Sequence, residues 1–428
     1  MSFIESVRAR AVWDSRGCPT VEAEVRLDSG MRGLAIAPAG ASTGAGEARE
    51  LRDGGSRLKG LGVAGAVRAV NEVLGPCLRG MDITDQAGID AAMCRADGTA
   101  DKSRLGANGI TAVSLACLWA ASRQAQLPLW RHLSGTDEVR LPLPQIQIFG
   151  GGAHAKGSVD VQDFLAVPHG ASNFAQSLEW VAEVYHAAGK ALSAQGKSLG
   201  VADEGGFWPQ FGSNEGAIEA LVKAIEAAGL RPGRDVSIAL DLASTQYFAE
   251  GIYHWRSENR RFDRDQLLQL YTRWVQDYPI VSMEDGFAED DIEGMQAMTQ
   301  ALGHKLQIVG DDFFVTKAPR IAERAAQGAC NAVLIKPNQV GTVSETRQAL
   351  EASRAQGLGS IVSARSGETE DVSIVHLAVG WGVAQLKVGS FARSERMAKW
   401  NEGLRIEQDL GRALLYPHPQ LFPWLKTR

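Results

Sequence analysis

The sequence predicts an α/β protein in which a smaller α+β domain precedes a βα barrel. Six short apolar segments in the second part of the chain end on charged or polar residues, as barrel strands with functional groups at their C-terminal ends do. The steps from Glu284 through Asp311, Lys336 and Arg365 to Lys387 are 27, 25, 29 and 22 residues. One strand, one helix and their loops need about 30 residues, so this period indicates repeated βα units.

The first part of the chain, placed at residues 1–135, has the pattern of an α+β domain. Residues 20–27 alternate between apolar and polar side chains, which predicts a half-exposed strand, and residues 33–37 predict a second strand. Residues 63–74 and 108–126 predict helices. The second helix is expected to be buried, because it is rich in alanine and nearly free of charge.

The barrel is placed at residues 136–428. Its strands are indicated by short runs of Val, Ile and Leu, which are typical of parallel strands buried on both faces. The six residues on which these runs end, or which directly follow them, are Asp241, Glu284, Asp311, Lys336, Arg365 and Lys387.

Composition narrows the classes of function. The net charge is −6 and the sequence pI is about 5.8, so the chain lacks a basic footprint and no nucleic-acid partner is expected. The longest apolar run, residues 110–121, is shorter than the ~20 residues of a membrane span, and no signal peptide is visible. Five scattered cysteines without a CxxC pair indicate reduced thiols. A cytoplasmic protein with no membrane partner is expected.

Three acids end successive strands, at Asp241, Glu284 and Asp311. Carboxylates gathered at one barrel mouth repel each other unless a hard cation lies among them, and Mg²⁺ prefers oxygen ligands. Each acid taken alone is also explained as a helix N-cap or a solvated turn residue. The regular series of three favours a magnesium site.

Cationic residues follow the neighbouring strands. Lys336 is a candidate general base, because a nearby dication and burial would both lower the pKa of its amine. The alternative is a structural ion pair with a neighbouring acid. Arg365 and Ser366 suit a phosphate, since a guanidinium binds oxyanions in bidentate fashion. With Lys387 as a further cation, the site predicts a small, highly anionic substrate.

Two glycine-containing segments add candidates. The loop between Pro38 and Gly46, which includes residues 40–44, is a candidate lid, with a plain surface linker as the alternative. Glu204 stands in the segment 203–206, where glycines let the backbone approach a ligand, and it would form an acid–base pair with Lys336. A helix-start acid is the alternative explanation of Glu204.

Taken together, these motifs resemble the enolase family over essentially the whole chain. The resemblance is carried by residues 14–22, 40–44, 203–207, 282–286, 310–312, 336–339, 365–371 and 392–396, which read DSRGCPTVE, GASTG, DEGGF, SMEDG, GDD, KPNQ, RSGETED and ARSER. It implies an enolase-type barrel, whose first strands depart from the plain βα order, with a smaller N-terminal domain packed on it. It also implies a homodimer or a higher oligomer of dimers.

The resemblance implies a role for each candidate metal ligand. Asp241, Glu284 and Asp311 would bind one Mg²⁺ tightly. Ser42, on a mobile loop, would help to bind a second Mg²⁺ that arrives with the substrate. Lys336 would remove the proton from C2 of the substrate, giving an enediolate that Mg²⁺ stabilises.

The remaining roles implied by the resemblance concern the substrate. Glu204 would assist departure of the C3 hydroxyl, supported by Asp163, and His154 would close over the substrate. Arg365 and Ser366 would hold the phosphate, and Lys387 the carboxylate. Two further residues beside these motifs are candidates for substrate contact, Gln162 and Ala364.

Four positions depart from the family pattern. Asp163 stands where the family has Glu, which draws the carboxylate back by ~1.5 Å, about one carbon–carbon bond. Ala364 stands where the family has His, Trp208 where it has a small residue, and Val388 where it has Thr. All four lie beside substrate-contact motifs in the sequence.

The intact base, acid and metal-binding residues predict a hydro-lyase that eliminates water by an enediolate path. The departures favour a C2-substituted analogue of 2-phosphoglycerate as substrate, as in the formation of carboxyphosphonoenolpyruvate in phosphonate antibiotic biosynthesis. The alternative is a housekeeping phosphopyruvate hydratase of glycolysis. A second alternative, of another class, is a catalytically silent paralogue that only binds. Retention of Lys336 and Glu204 counts against it.

Overall fold

The computed structural model describes residues 1–155, 158–197, 200–411 and 421–422. The chain begins with a three-stranded sheet and a group of helices and continues as a closed barrel of eight strands. The predicted combination of an α+β region and a βα barrel is therefore confirmed.

The first sheet is antiparallel, with strand order β1-β2-β3. Its strands are β1 (Ile4–Trp13), β2 (Pro19–Leu27) and β3 (Arg32–Ile36). The pattern-based prediction misses β1, because Glu5, Arg8 and Arg10 interrupt its apolar side chains.

Five helices accompany this sheet. They are α1 (Ala64–Ala69), α2 (Gly75–Leu78), α3 (Gln86–Asp97), α4 (Ala107–Gln124) and α5 (Leu129–Ser134), and a π-helical segment, Val70–Leu74, joins α1 to α2. Helix α4 is almost entirely buried, as predicted, and packs on β2 and β3. Gly33 permits this packing, because a Cβ there would overlap the carbonyl oxygen of Ala116 on α4.

The barrel closes in the order β10-β11-β12-β13-β14-β4-β5-β6. Its strands are β4 (Leu143–Gly150), β5 (Asp163–Val167), β6 (Ser237–Asp241), β10 (Ile280–Glu284), β11 (Gln307–Gly310), β12 (Ala332–Ile335), β13 (Gly359–Ser363) and β14 (Gln385–Gly389). A small sheet between β6 and β10 contains β7 (Phe248–Ala249), β8 (Ile252–Trp255) and β9 (Arg260–Phe262).

Strand β5 runs antiparallel to both of its neighbours, β4 and β6, whereas the other pairs of the barrel are parallel. In this register Asp163, at the start of β5, lies beside Asp241, at the end of β6. The reversed strand therefore delivers its first residue to the same barrel mouth as the last residues of the parallel strands.

Helices surround the barrel, and several of them begin at side-chain caps. They are α6 (Phe174–Ala194), α7 (Asn214–Ala227), α8 (Arg264–Asp277), α9 (Ile292–Leu302), α10 (Ala318–Ala326), α11 (Pro337–Val340), α12 (Val343–Ala355), α13 (Ser373–Gly380) and α14 (Ser394–Leu410). Asn173, Ser213 and Thr342 each accept a backbone N–H at the start of their helices, and Asp263 forms a full capping box with Gln266. Within the described ranges, no helix is both long and apolar enough to cross a membrane.

Candidate active site

A narrow cavity lies at the mouth of the barrel, where the C-terminal ends of the parallel strands meet. It is lined by Ser42, His154, Gln162, Glu204, Asp241, Ala243, Asp285, Asp311, Asp312, Lys336, Ser363, Ala364, Arg365, Ser366 and Lys387. Asp163 and Glu284 are buried directly behind this wall, in contact with Lys387. All the candidate residues that the sequence indicates are therefore brought to one place.

Lys387 connects the acids that end β6 and β10. Its Nζ donates to Asp241 Oδ2 and to Glu284 Oε2, each at 2.8 Å, and lies 3.7 Å from Asp163 Oδ2. Burial opposes the charge of this ammonium, but the carboxylates of Asp241 and Glu284 raise the pKa of Lys387 well above its usual value. Burial, followed by the neighbouring Asp241, also raises the pKa of Glu284.

Lys336 forms a buried ion pair with Asp311, whose other oxygen accepts a hydrogen bond from Gln339 Nε2 at 2.9 Å. The expectation of a lowered pKa at Lys336 is wrong for this arrangement. Burial has the largest influence and lowers it, but the carboxylates of Asp311 and Glu284 together more than offset burial, and the pKa of Lys336 is raised. The alternative of an ion pair with a neighbouring acid therefore describes the contact that is present.

The acids at the ends of β6, β10 and β11 fit a hard cation. Asp241, Glu284 and Asp311 offer only oxygen atoms, which suits Mg²⁺. Glu284 Oε1 is buried and, within the described part of the chain, has no hydrogen-bond partner. An unsatisfied buried carboxylate oxygen costs free energy that a bound cation would recover.

A second group of acids overlaps this one. Carboxylate oxygens of Asp285, Asp311 and Asp312 lie within 4.8 Å of one another. Asp285 also accepts the backbone N–H groups of Asp311 and Asp312, at 2.9 and 2.8 Å. Burial, with Asp311 second, raises the pKa of Asp285 to about 7. The paired acids at 284–285 and 311–312 were the sequence signal for these two additional residues.

Ser42 and Glu47 lie on the loop that follows β3 and contact Arg365, and Ser42 also lines the cavity. The Ser42 carbonyl accepts a hydrogen bond from Arg365 Nη2 at 2.9 Å. Glu47 binds the same guanidinium in bidentate fashion, with its oxygens 2.8 and 3.1 Å from Nη1 and Nη2. Ser366 Oγ accepts the backbone N–H of Ala41 at 2.6 Å. The residues expected to bind phosphate are thus tied to the candidate lid, and sequence reasoning missed Glu47.

His154 lies between two carboxylates. Its Nδ1 is 3.1 Å from Asp163 Oδ1, and its Nε2 is 3.9 Å from Glu204 Oε1. Burial opposes the charge of His154, but Asp163 raises its pKa to about 9. Burial likewise works against the charge of Asp163, but His154 lowers its pKa to about 2. Burial and the nearby Asp163 raise the pKa of Glu204.

Gln162, directly before β5, forms a hydrogen bond with the acid that ends the neighbouring strand β6. Its Nε2 donates to Asp241 Oδ2 at 3.1 Å, and its Oε1 accepts from Gln246 Nε2 at 2.5 Å. Gln246 in turn accepts the backbone N–H of Ala153, next to His154, at 3.0 Å. Sequence reasoning missed Gln246, which joins the loop before β5 to the end of β6.

The four departures from the family pattern occupy different surroundings. Ala364 lines the cavity beside Arg365 and is 5% exposed. Asp163 is fully buried behind the wall. Val388 is turned into the core, where its carbonyl accepts from Arg396 Nη1 at 2.7 Å. Trp208 is half-buried and its backbone N–H donates to the Gly200 carbonyl at 3.2 Å.

Comparisons with known proteins cover both parts of the fold. A family model described as the N-terminal domain of enolase matches residues 4–133, and one described as the C-terminal TIM barrel domain of enolase matches residues 138–421. The chain is also similar to Enolase 1 of Desulfitobacterium hafniense (strain Y51). The two are 48% identical over 422 residues, which cover 98% of this chain and 97% of that protein.

Proposed function

The chain belongs to the enolase family, and on that premise we propose that it is a phosphopyruvate hydratase, which removes water from 2-phosphoglycerate to give phosphoenolpyruvate. It is accordingly a hydro-lyase. The comparisons support this activity, the housekeeping alternative of the sequence analysis, better than the formation of carboxyphosphonoenolpyruvate.

One observation carries the proposal: a buried amine and a buried carboxyl group face the cavity from opposite sides of the barrel. The amine is that of Lys336, which follows β12. The carboxyl group is that of Glu204, and a carboxylate oxygen of Asp163, at the start of β5, lies within 4.8 Å of it. These strands are four places apart in the ring of eight, and are therefore diametrically opposed. We call Asp311, Lys336 and Gln339 the base side, and Gln147, His154, Asp163 and Glu204 the acid side.

This arrangement suits an elimination in which two groups leave from opposite faces of one substrate. In the proposed reaction Lys336 takes the proton from C2. Glu204 gives a proton to the C3 hydroxyl, which departs as water. The raised pKa of Glu204 supports this role, because a carboxyl group must be protonated near neutral pH to act as an acid.

The remaining charged groups are proposed to hold the substrate and the metal. Arg365 and Ser366 would bind the phosphate and Lys387 the carboxylate. Asp241, Glu284 and Asp311 would hold one Mg²⁺, and a second would lie near Ser42. This positive charge would stabilise the substrate carboxylate and weaken the interaction that keeps Lys336 protonated. Enolase-superfamily sites are the standard example of a lysine base used with Mg²⁺. The buried Glu284 Oε1, which has no hydrogen-bond partner within the described part of the chain, supports this assignment.

The test is a direct comparison of substrates. The full chain, purified and supplied with Mg²⁺, is expected to convert 2-phosphoglycerate to phosphoenolpyruvate, followed by the ultraviolet absorbance of the new double bond. The phosphonoformyl analogue of 2-phosphoglycerate is expected to react more slowly. Faster turnover of the analogue would contradict the proposal and restore the specialised function, and binding of Mg²⁺ without turnover of either compound would favour the silent paralogue.

The boundary between the domains, the oligomeric state and the compartment are also proposals. We place the boundary at residues 135 and 136, in the segment between α5 and β4. We propose a homodimer in the cytoplasm, as the family resemblance implies. Sedimentation of the purified chain would test the dimer, because a 45.8 kDa chain and its dimer differ twofold in mass.

A further inference from the structure

Gln147 is a buried amide that contacts both carboxylate-bearing segments of the acid side. It lies in β4 and has no exposed surface. Its Nε2 donates a short hydrogen bond to Asp163 Oδ1, and its Oε1 accepts the backbone N–H of Gly206 at 2.7 Å. Both polar ends of the side chain are therefore engaged by the segments that carry Asp163 and Glu204.

These contacts complete a ring formed by four side chains and the backbone of the turn that follows Glu204. His154 joins Asp163 to Glu204 on the cavity side, with its ring nitrogens 3.1 and 3.9 Å from the two carboxylates. Gln147 joins Asp163 to the turn that follows Glu204 on the core side. Because an amide has no net charge, this second connection links the two segments without adding a charge to the site.

The length of Gln147 is matched to the shortness of Asp163. The carboxylate of Asp163 ends one methylene, ~1.5 Å, closer to the backbone than that of a glutamate. Gln147 is one methylene longer than an asparagine and reaches across from the neighbouring strand to meet it. The turn at Gly206 packs closely against Gln147, because a Cβ at Gly206 would lie only 2.6 Å from Gln147 Oε1.

We propose that Gln147 is a positioning residue whose length, together with that of Asp163, sets the separation of Asp163 and Glu204. Gln147 acts through these two residues and not on the substrate. The inference deepens the proposed hydratase function and rests on it. On this proposal, the length of Gln147 compensates for the shorter acid at position 163, and the shorter acid does not indicate a change of substrate.

A double-mutant cycle tests the length match. Gln147→Asn is expected to lower kcat for 2-phosphoglycerate roughly 10- to 100-fold with little change in KM, because it releases a hydrogen bond to a buried carboxylate. Asp163→Glu alone is expected to be similarly impaired, because the longer acid overpacks against Gln147. The double variant, which restores the combined length, is expected to exceed the kcat of either single variant by roughly 10-fold.

Gln145→Asn is the matched control. Gln145 lies two residues away on the same strand, is equally buried, and its Nε2 donates to Gln385 Oε1 at 2.7 Å. Its shortening breaks an amide–amide contact outside the site. We expect it to lower the temperature of unfolding and to leave kcat within a few-fold of the parent.

Two results would overturn the proposal. In the first, the two single effects on kcat multiply in the double variant, with no rescue. In the second, Gln147→Asn changes kcat no more than Gln145→Asn does. Thermal unfolding of the parent, the two single variants and the double variant distinguishes failure of this proposal from failure of the proposed function. The stabilities must show coupling between positions 147 and 163 even if 2-phosphoglycerate is not turned over. Additive stabilities would also refute the length match.

Discussion

The base side and the acid side of the barrel mouth reach the same cavity by different constructions. On the base side, Asp311 and Lys336 directly follow two adjacent strands, β11 and β12, and Gln339 lies one turn further on. On the acid side, His154 lies in a single 3-10 turn, Gly152–Ala155, and Glu204 lies on a loop, so that only Gln147 and Asp163 belong to strands. One side is fixed by the barrel itself, whereas the other needs a ring of contacts to hold its loops in place.

The electrostatics of the two sides differ in the same way. The base side is one ion pair in which Asp311 keeps Lys336 charged. On the acid side one carboxylate, Asp163, is held ionised by His154, while burial and that same Asp163 raise the pKa of Glu204. Neighbouring groups thus push the two carboxyl pKa values apart, which leaves one proton donor and one fixed charge.

The largest expected effect is the loss of the base. Lys336→Ala is expected to lower kcat for 2-phosphoglycerate roughly 10⁴-fold, because the only other ionisable group of the base side, Asp311, is assigned to Mg²⁺ and would not replace the amine as base. Lys223→Ala, at an exposed position of α7, is the control and should retain full activity. Steady-state kinetics of both variants measure the difference. A Lys336→Ala enzyme with a kcat near that of the parent would remove Lys336 from the reaction.

Loss of the acid should have a smaller effect. Glu204→Gln is expected to lower kcat roughly 10²- to 10³-fold, because a hydroxyl group can still leave, slowly, without a proton donor. Glu226→Gln, on the exposed face of α7, provides the control. If Glu204→Gln were more damaging than Lys336→Ala in the same assay, the assignment of the two sides would have to be revised.

Glu47, on the loop that follows β3, is expected to contribute chiefly to stability. Glu47→Gln should lower the free energy of unfolding by about 3 kcal/mol, because it leaves the buried Arg365 without its charged partner. Glu351→Gln breaks the exposed pair with Arg347 and should cost less than about 1 kcal/mol. Denaturant unfolding compares the two. Equal losses would show that the contact between Glu47 and Arg365 is no stronger than a surface ion pair.

The smallest expected effect is a pH dependence of the free energy of unfolding, which arises from the acid side. Burial opposes the charge of His154, but Asp163 and Glu204 together raise its pKa from 6.5 to about 9, so this stabilisation is complete below pH 6.5 and is lost as the pH rises through about 9. His154 lowers the pKa of Asp163 from 3.8 to about 2, so that contribution is complete above pH 3.8 and is lost as the pH falls through about 2.

The pair should therefore stabilise the protein fully between roughly pH 4 and 6.5. His154→Gln should flatten the decline in the free energy of unfolding between pH 6.5 and 9, as measured by denaturant titrations at a series of pH values. An unchanged slope in this variant would show that the pair does not contribute to stability over that range.

The difference between the two sides also explains what the sequence could reveal. Asp241, Glu284, Asp311 and Lys336 were found because strand ends recur with the period of a βα unit, and that period is local information. Glu47 and Arg365 are 318 residues apart, so no local pattern joins them. Gln147 and Gln246 are neutral amides whose roles depend on side-chain reach, which composition does not record.

The fold shows the same limit. The strand–helix alternation predicted the barrel. Strand β1 was not predicted, because charged residues interrupt the series of apolar side chains in its sequence. The reversed direction of β5 was not predicted, because a five-residue buried strand has the same pattern in either direction. The family resemblance implied only that the first strands of the barrel depart from the plain βα order. The pKa of Lys336 was misjudged because its direction depends on which carboxylate reaches the ammonium, a matter of tertiary distances.

The most direct test of opposed base and acid sides is exchange of the C2 proton of 2-phosphoglycerate with deuterium from solvent, followed by NMR in Glu204→Gln and Lys336→Ala proteins supplied with Mg²⁺. Glu204→Gln should exchange the C2 proton while forming phosphoenolpyruvate very slowly, because its base side is intact. Lys336→Ala should exchange no proton above background. Exchange in the Lys336→Ala protein, or its loss in both variants alike, would contradict the division of the barrel mouth into a base side and an acid side.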